Sequence, residues 1–187
     1  MNWIVFTIFA WIAMAFETGF RDALALGSSS ISPSLAMILV AYVALWAPIR
    51  HALPAAIVVG LLLDFGDLVR TPGAEPVVVL GRHAIGCLLA SYTVVTLRGM
   101  MFRRNVVTIV VLAGVTMALT QIVAIAMLKF RSLYDVIIVD DAAAQLGSQL
   151  GSAIYTAALA FIVGPLLNRM KWLFGFTGSA RSSFRMP

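Results

Sequence analysis

Four ionisable residues carry the side chains best suited to chemistry in a chain that is otherwise strongly apolar. Asp64 and Asp67 close one apolar stretch, and Arg82 and His83 open the next. An unpaired charge at the centre of a membrane costs about 2.5–3.5 kcal/mol, so such side chains pair, become hydrated or serve a function. Three interpretations stay open for Asp64 and Arg82: extension toward outer lipid headgroups, a structural ion pair, or an ion or proton pathway.

Neither a catalytic nor a metal-binding pattern emerges from these residue types. His51 and His83 are predicted to lie on opposite sides of a membrane, and neither has a Cys or His at ligand spacing. The serines of residues 147–152 have only His83 on their side, and Gly-Ser-Gln-Leu-Gly is not a nucleophile elbow. We therefore expect no enzyme activity, no cofactor and no metal, and interpret both histidines as loop or interface residues.

The composition indicates that lipid is the main solvent of this chain. Of its 187 residues, 61% are hydrophobic and 11% are charged, whereas about 25% of a soluble domain is charged. A spanning helix needs roughly 20 apolar residues. The sequence therefore predicts one all-α domain over residues 1–174 with six transmembrane helices, a mobile tail over 175–187, and no nucleic-acid partner. The predicted spans are about 3–20, 31–49, 52–69, 77–97, 106–128 and 145–167.

The third predicted span has one face that differs from the rest of its surface. Ala56, Gly60, Asp64 and Asp67 follow one another at spacings of four, four and three, so they share one side of a helix. The other positions are mainly Ile, Val and Leu, which suit lipid. The small and acidic face must therefore lie against protein or a wet cavity, and we expect the six helices to pack around it.

Two further positions bear on packing. Gln121 is in register with Gly114 and Ala118, which predicts a second face directed toward protein. Pro33 is predicted to lie in the first turn of the second span, where a helix tolerates proline best.

The distribution of charge predicts the orientation. With six spans, all eight acidic residues lie on or toward one side, and eight of the thirteen basic residues lie on the other. Because Lys and Arg favour the cytoplasmic side, both termini are predicted to be cytoplasmic. The eight basic residues are Arg50, Arg98, Arg103, Arg104, Arg169, Lys171, Arg181 and Arg185.

Several of these features occur in a set order between about residues 31 and 105. Pro33 opens a span, and a short basic turn leads to Gly60-Leu-Leu-Leu-Asp64. Leu80-Gly81 then enters the next span, and Ser91-Tyr92 precedes an arginine-rich turn. This order resembles the MreD family of rod-shape-determining membrane proteins. The sixteen residues between Asp64 and Gly81 make a longer connection than is usual in that family.

The resemblance implies a non-catalytic scaffold of the bacterial cell-elongation complex in the inner membrane. Gly60, Asp64 and Gly81, together with Pro33, would be structural or partner-contacting residues. The implied partners are membrane lipid, an MreC-like protein, a RodA-like glycosyltransferase, a penicillin-binding transpeptidase and an MreB-like filament. The MreD fold is similar to that of the substrate-binding components of energy-coupling-factor vitamin transporters, which supplies the alternative function. Such a component needs a polar outward pocket, for which the spans offer few deep polar groups.

Overall fold

The structure, a computed structural model, describes residues 1–25, 31–69, 77–99, 105–134 and 142–176. It is helical apart from a two-residue antiparallel ladder between β1 (Leu68–Val69) and β2 (Val77–Val78). This ladder lies within the connection from the fourth helix to the fifth. The helices are α1 (Trp3–Gly19), α2 (Arg21–Leu24), α3 (Leu35–Trp46), α4 (Ile49–Gly66), α5 (Arg82–Leu97), α6 (Val106–Arg131) and α7 (Ala142–Arg169).

Four helices in the described part of the chain, α1, α4, α6 and α7, are long and apolar enough to cross a membrane. They fit a transmembrane protein, as the composition predicts. The other two long helices are shorter than their predicted spans, because α3 has 12 residues and α5 has 16. At 1.5 Å per residue α3 is about 18 Å long, against a hydrocarbon core of about 30 Å.

The limits of α3 follow from the residues at its ends. The Ser34 side chain accepts a hydrogen bond from the Met37 N–H at 3.2 Å, which makes Ser34 the N-cap. The prediction that Pro33 lies in the first turn is therefore wrong, because Pro33 precedes the cap. At the other end Ala47 precedes Pro48, and a residue before proline is disfavoured in helical conformation.

The bundle is centred on α3. All side chains of residues 36–45 are buried, and α3 contacts α1, α4, α5, α6 and α7. The predicted face of α4 is covered, since Ala56, Gly60 and Asp64 are buried, but it is not the centre of the packing. A helix that is apolar on every side suits either lipid or a protein core, so the sequence pattern did not distinguish α3 from a peripheral span.

One end of the bundle, which we call the basic end, is defined by Arg50, Arg98 and Lys171. Arg98 Nη1 donates to the carbonyl of Ala44 at 3.0 Å, at the C-terminal end of α3. The Lys171 ammonium lies 5.1 Å from the centroid of the Trp46 ring. Cations at this position complement the negative end of the α3 dipole.

The first helix begins at the basic end and the last one finishes there. The Asn2 N–H donates to the Phe174 carbonyl at 3.0 Å, and the rings of Trp3 and His51 are 6.1 Å apart. Phe176, the second residue of the predicted mobile tail, stacks on Phe174. Residues 177–187 lie outside the described part of the chain.

Candidate functional site

The carboxylate of Asp64 caps the N-terminus of α5. Its Oδ2 atom accepts the Gly81 N–H at 2.7 Å, and its Oδ1 atom accepts the His83 N–H at 2.9 Å. The imidazole Nδ1 of His83 also lies 2.9 Å from Oδ1. The first N–H groups of a helix lack partners within the helix, and the helix dipole favours a negative charge there. The N-terminus of α5 therefore balances the buried charge of Asp64.

Two glycines allow this cap to form. Gly60 lies one turn before Asp64, and a Cβ there would stand 2.4 Å from the Cα atom of Ala84 and 2.7 Å from the His83 carbonyl oxygen. Gly81, the residue before α5, has a φ of +100°, which L side chains rarely adopt. We call the assembly of Gly60, Asp64, Gly81 and His83 the α4–α5 joint.

Replacing Gly81 by Ala is expected to lower the free energy of unfolding by about 1–2 kcal/mol through backbone strain alone. Beyond its chain neighbours, no atom of the described residues lies within 4 Å of the position that its Cβ would occupy, so backbone strain is the term that the structure supports. Reversible denaturation in detergent micelles measures the effect. Gly81→Asn should cost less, because Asn tolerates positive φ. An Ala variant as stable as the wild type would contradict this account.

Arg82 lies between two aspartates at the edge of the joint. Its Nη2 atom donates to Asp67 Oδ2, and its Nε atom is 3.8 Å from Asp64 Oδ1. Arg82 is 5% exposed and Asp64 is 0% exposed. Of the three interpretations from the sequence, this geometry corresponds to the ion pair and not to extension toward headgroups. The interpretation of His83 as a loop or interface residue is wrong, because His83 is buried against Asp64.

A second carboxylate, that of Glu17, accepts hydrogen bonds at the N-terminus of α3, as Asp64 does at the N-terminus of α5. Glu17 was not among the residues singled out from the sequence. Glu17 Oε2 accepts hydrogen bonds from Ser34 Oγ at 2.9 Å and from the Ala36 N–H at 3.3 Å. The signal in the sequence is an acidic residue near the end of an apolar helix, followed by a loop and a serine N-cap. Glu17, Asp64 and Asp67 define the acidic end of the bundle, opposite the basic end.

A cavity of about 240 Å³ opens at the acidic end. All seven helices, α1 to α7, contribute to its walls, so residues far apart in sequence meet there. No local sequence pattern marks this cavity, because its polar groups are spread over several helices and the segments that connect them. Gln121 lines this cavity, whereas a Cβ at Gly114 would stand 3.2 Å from that of Ala157 in α7. The predicted face of α6 thus packs against α7 at Gly114 and lines the cavity at Gln121.

The polar groups of the cavity wall include both signs of charge and several neutral hydrogen-bonding groups. The wall also contains apolar side chains such as Met14, Met37 and Leu63. This arrangement can hold a polar ligand by hydrogen bonds and ion pairing. The polar wall residues are Glu17, Thr18, Arg21, Ser32, Ser34, Asp67, Arg82, His83, Gln121, Gln145 and Gln149.

Over the described ranges no group of three His, Cys, Asp or Glu side chains lies close enough together to hold a metal ion. Comparisons with protein-family models, curated proteins and solved structures give no match for this chain. The fold and site therefore define the class of protein by themselves: a helical bundle with membrane-compatible helices, a capped joint between α4 and α5, and a polar cavity at one end.

Proposed function

We propose that this chain is a non-catalytic, MreD-like scaffold of the bacterial cell-elongation complex, and that its bundle binds an MreC-like protein in the inner membrane. The supporting observation is that Gly60, Asp64 and Gly81, on which the resemblance rests, lie together in the α4–α5 joint. Both oxygens of Asp64 accept hydrogen bonds from the start of α5. A carboxylate engaged in this way favours a structural role over a catalytic one.

The wider assembly belongs to the same proposal. A RodA-like glycosyltransferase, a penicillin-binding transpeptidase and an MreB-like filament are the further partners. Large apolar side chains remain exposed on the outside of the bundle, including Trp11 at 64% and Ile154 at 74%. These surfaces suit lipid or the transmembrane helices of such partners.

The proposal includes six membrane crossings with the basic end in the cytoplasm. The separation of basic and acidic residues between the two ends supports this orientation. Although α3 alone is short, residues 31–34 precede it in non-helical conformation. At roughly 3.3 Å per extended residue, they bring the path to about 30 Å, which matches the hydrocarbon core.

Cysteine labelling from each side of the membrane tests the number of crossings. Single cysteines at Asn2 and Arg50, both exposed, are introduced after Cys87→Ser removes the native thiol. Six crossings place both positions on the cytoplasmic side, where only a membrane-permeant reagent labels them. In the structure Trp3 and His51, the neighbours of these two positions, lie at the same end of the bundle. Labelling on opposite sides would refute six crossings together with this packing.

The cavity favours a second candidate function, that of a substrate-binding membrane component of an energy-coupling-factor type transporter. It lies at the end proposed to face outward and has the hydrogen-bonding groups that such a pocket needs. Its volume of about 240 Å³ is below the roughly 300–1,000 Å³ of typical ligand pockets. We therefore place this function second.

Controlled depletion in the bacterium that encodes the protein separates the two functions. A scaffold predicts wider cells and loss of new wall material along the side wall, followed with a fluorescent cell-wall label. A transporter component predicts unchanged cell shape and a growth defect that an added nutrient relieves. The second result would overturn the scaffold proposal.

A further inference from the structure

The cavity wall holds a buried donor that lacks an acceptor. Arg82 uses its Nη2 atom for Asp67, but its Nε atom has no hydrogen-bond partner among the described residues. The oxygen of Asp64 at 3.8 Å is beyond hydrogen-bonding distance. A buried donor without an acceptor costs about 1–3 kcal/mol. Because Nε is itself buried, a ligand in the cavity is attracted by the positive charge of the Arg82 guanidinium and not by this donor.

The cavity wall also contains hydrogen-bonding atoms that have no partner among the described residues. Both hydrogen bonds to the Glu17 carboxylate go to Oε2, so Oε1 accepts none from the described residues. Gln145 and Gln149, one turn apart on α7, line the same cavity. Within the described ranges their side-chain amides form no hydrogen bond. A ligand ammonium beside Glu17 would find a carboxylate and nearby amide oxygens.

The charge and size of the cavity narrow the class of ligand. Its wall carries two carboxylates, Glu17 and Asp67, and two guanidinium groups, Arg21 and Arg82. The charges of these four groups cancel, so a ligand with a large net charge of either sign gains no advantage, whereas a zwitterion can pair with both signs. A volume of about 240 Å³ fits a headgroup-sized molecule better than a drug-sized one.

We propose that this cavity binds a zwitterionic group of headgroup size, with its anionic end toward the guanidinium of Arg82 and its ammonium at Glu17. Two sources offer this chemistry: the headgroup of phosphatidylethanolamine, and a free amino acid such as alanine. Ligand binding in the cavity does not depend on the scaffold function. The protein could therefore have one of these properties without the other.

Native mass spectrometry and titration of the purified full-length protein test the inference. The lipid arm compares phosphatidylethanolamine with anionic phosphatidylglycerol at equal concentrations, and the soluble arm uses alanine and glycerophosphoethanolamine. Preferential retention of phosphatidylethanolamine identifies the lipid source, and saturable binding of alanine identifies the soluble one. If phosphatidylethanolamine binds no better than phosphatidylglycerol and neither soluble probe binds, the proposal is overturned.

Variants locate the binding. The double change Gln145→Met and Gln149→Met keeps side-chain size but removes the amides, and is expected to weaken binding about tenfold. Glu17→Gln keeps an oxygen acceptor for Ser34 and removes the charge that holds the ammonium, so it serves as an independent second variant. The matched control is Thr93→Val, a half-buried position on α5 outside the cavity wall, which should bind as the wild type does. Equal binding by all the cavity variants would contradict the proposed site.

Discussion

Replacing Asp64 by Ala is expected to lower the free energy of unfolding by about 3–5 kcal/mol, the usual cost of removing one partner from a buried charged pair. The change leaves the N–H groups of Gly81 and His83 without their acceptor. It also leaves the guanidinium of Arg82, 5% exposed, with Asp67 as its only carboxylate partner among the described residues. Reversible denaturation in mixed micelles measures the effect. Because natural proteins are stable by only about 5–15 kcal/mol, the yield of folded protein should fall as well.

The control for this variant is Asp67→Asn at the same end of α4. The side chain of Asp67 is 40% exposed, and exposed ion pairs contribute about 0–1 kcal/mol. The losses in the free energy of unfolding should therefore differ several-fold between the two variants, although both remove a carboxylate near Arg82. Equal losses of stability for Asp64→Ala and Asp67→Asn would show that capping of α5 is not what Asp64 contributes.

Replacing Gly60 by Ala is expected to cause the second largest loss of stability. The added methyl group would overlap the backbone of α5 and force α4 and α5 apart. The added Cβ would stand 2.4 Å from the Cα and 2.7 Å from the backbone N of Ala84. These neighbours are backbone atoms and cannot rotate away. Overpacking of this kind costs about 1–3 kcal/mol and sometimes more. Shifting α5 also moves the Gly81 and His83 N–H groups away from Asp64.

Gly147→Ala provides the matched control for Gly60→Ala. Gly147 lies within α7, and outside its own helix no atom of the described residues is within 4 Å of the position of an added Cβ. Alanine is favoured over glycine in a helix interior by about 0.5–1 kcal/mol, so this variant should be slightly more stable than the wild type. If Gly60→Ala were stabilising to the same degree, the close approach of α4 and α5 would be refuted.

The sequence was informative where the relevant residues are close along the chain. The spacing of Gly60 and Asp64 on one helix predicted a protein-facing side, and a single connection placed Arg82 near Asp64. The central position of α3 was not predictable, because its residues are apolar on every side and lipid and protein core select the same types. The cavity was missed for another reason: its polar residues come from five helices and the segments that connect helices, and no local pattern joins Glu17 to Gln145.

The stability of the α4–α5 joint also bears on partner binding. A partner that docks on the bundle needs α4 and α5 in their native relation, although Asp64 itself is buried and makes no surface. Variants of Asp64 and Gly60 should therefore weaken partner binding in proportion to their loss of stability, while Gly147→Ala leaves it unchanged.

Affinity purification of the tagged protein from mild-detergent extracts of its native membranes, with mass spectrometry of the proteins that accompany it, tests the scaffold proposal most directly. The account predicts recovery of an MreC-like protein together with a penicillin-binding transpeptidase, at levels well above those obtained with an unrelated tagged membrane protein. Recovery of a transporter coupling subunit and an ATPase, with neither elongation protein present, would contradict it.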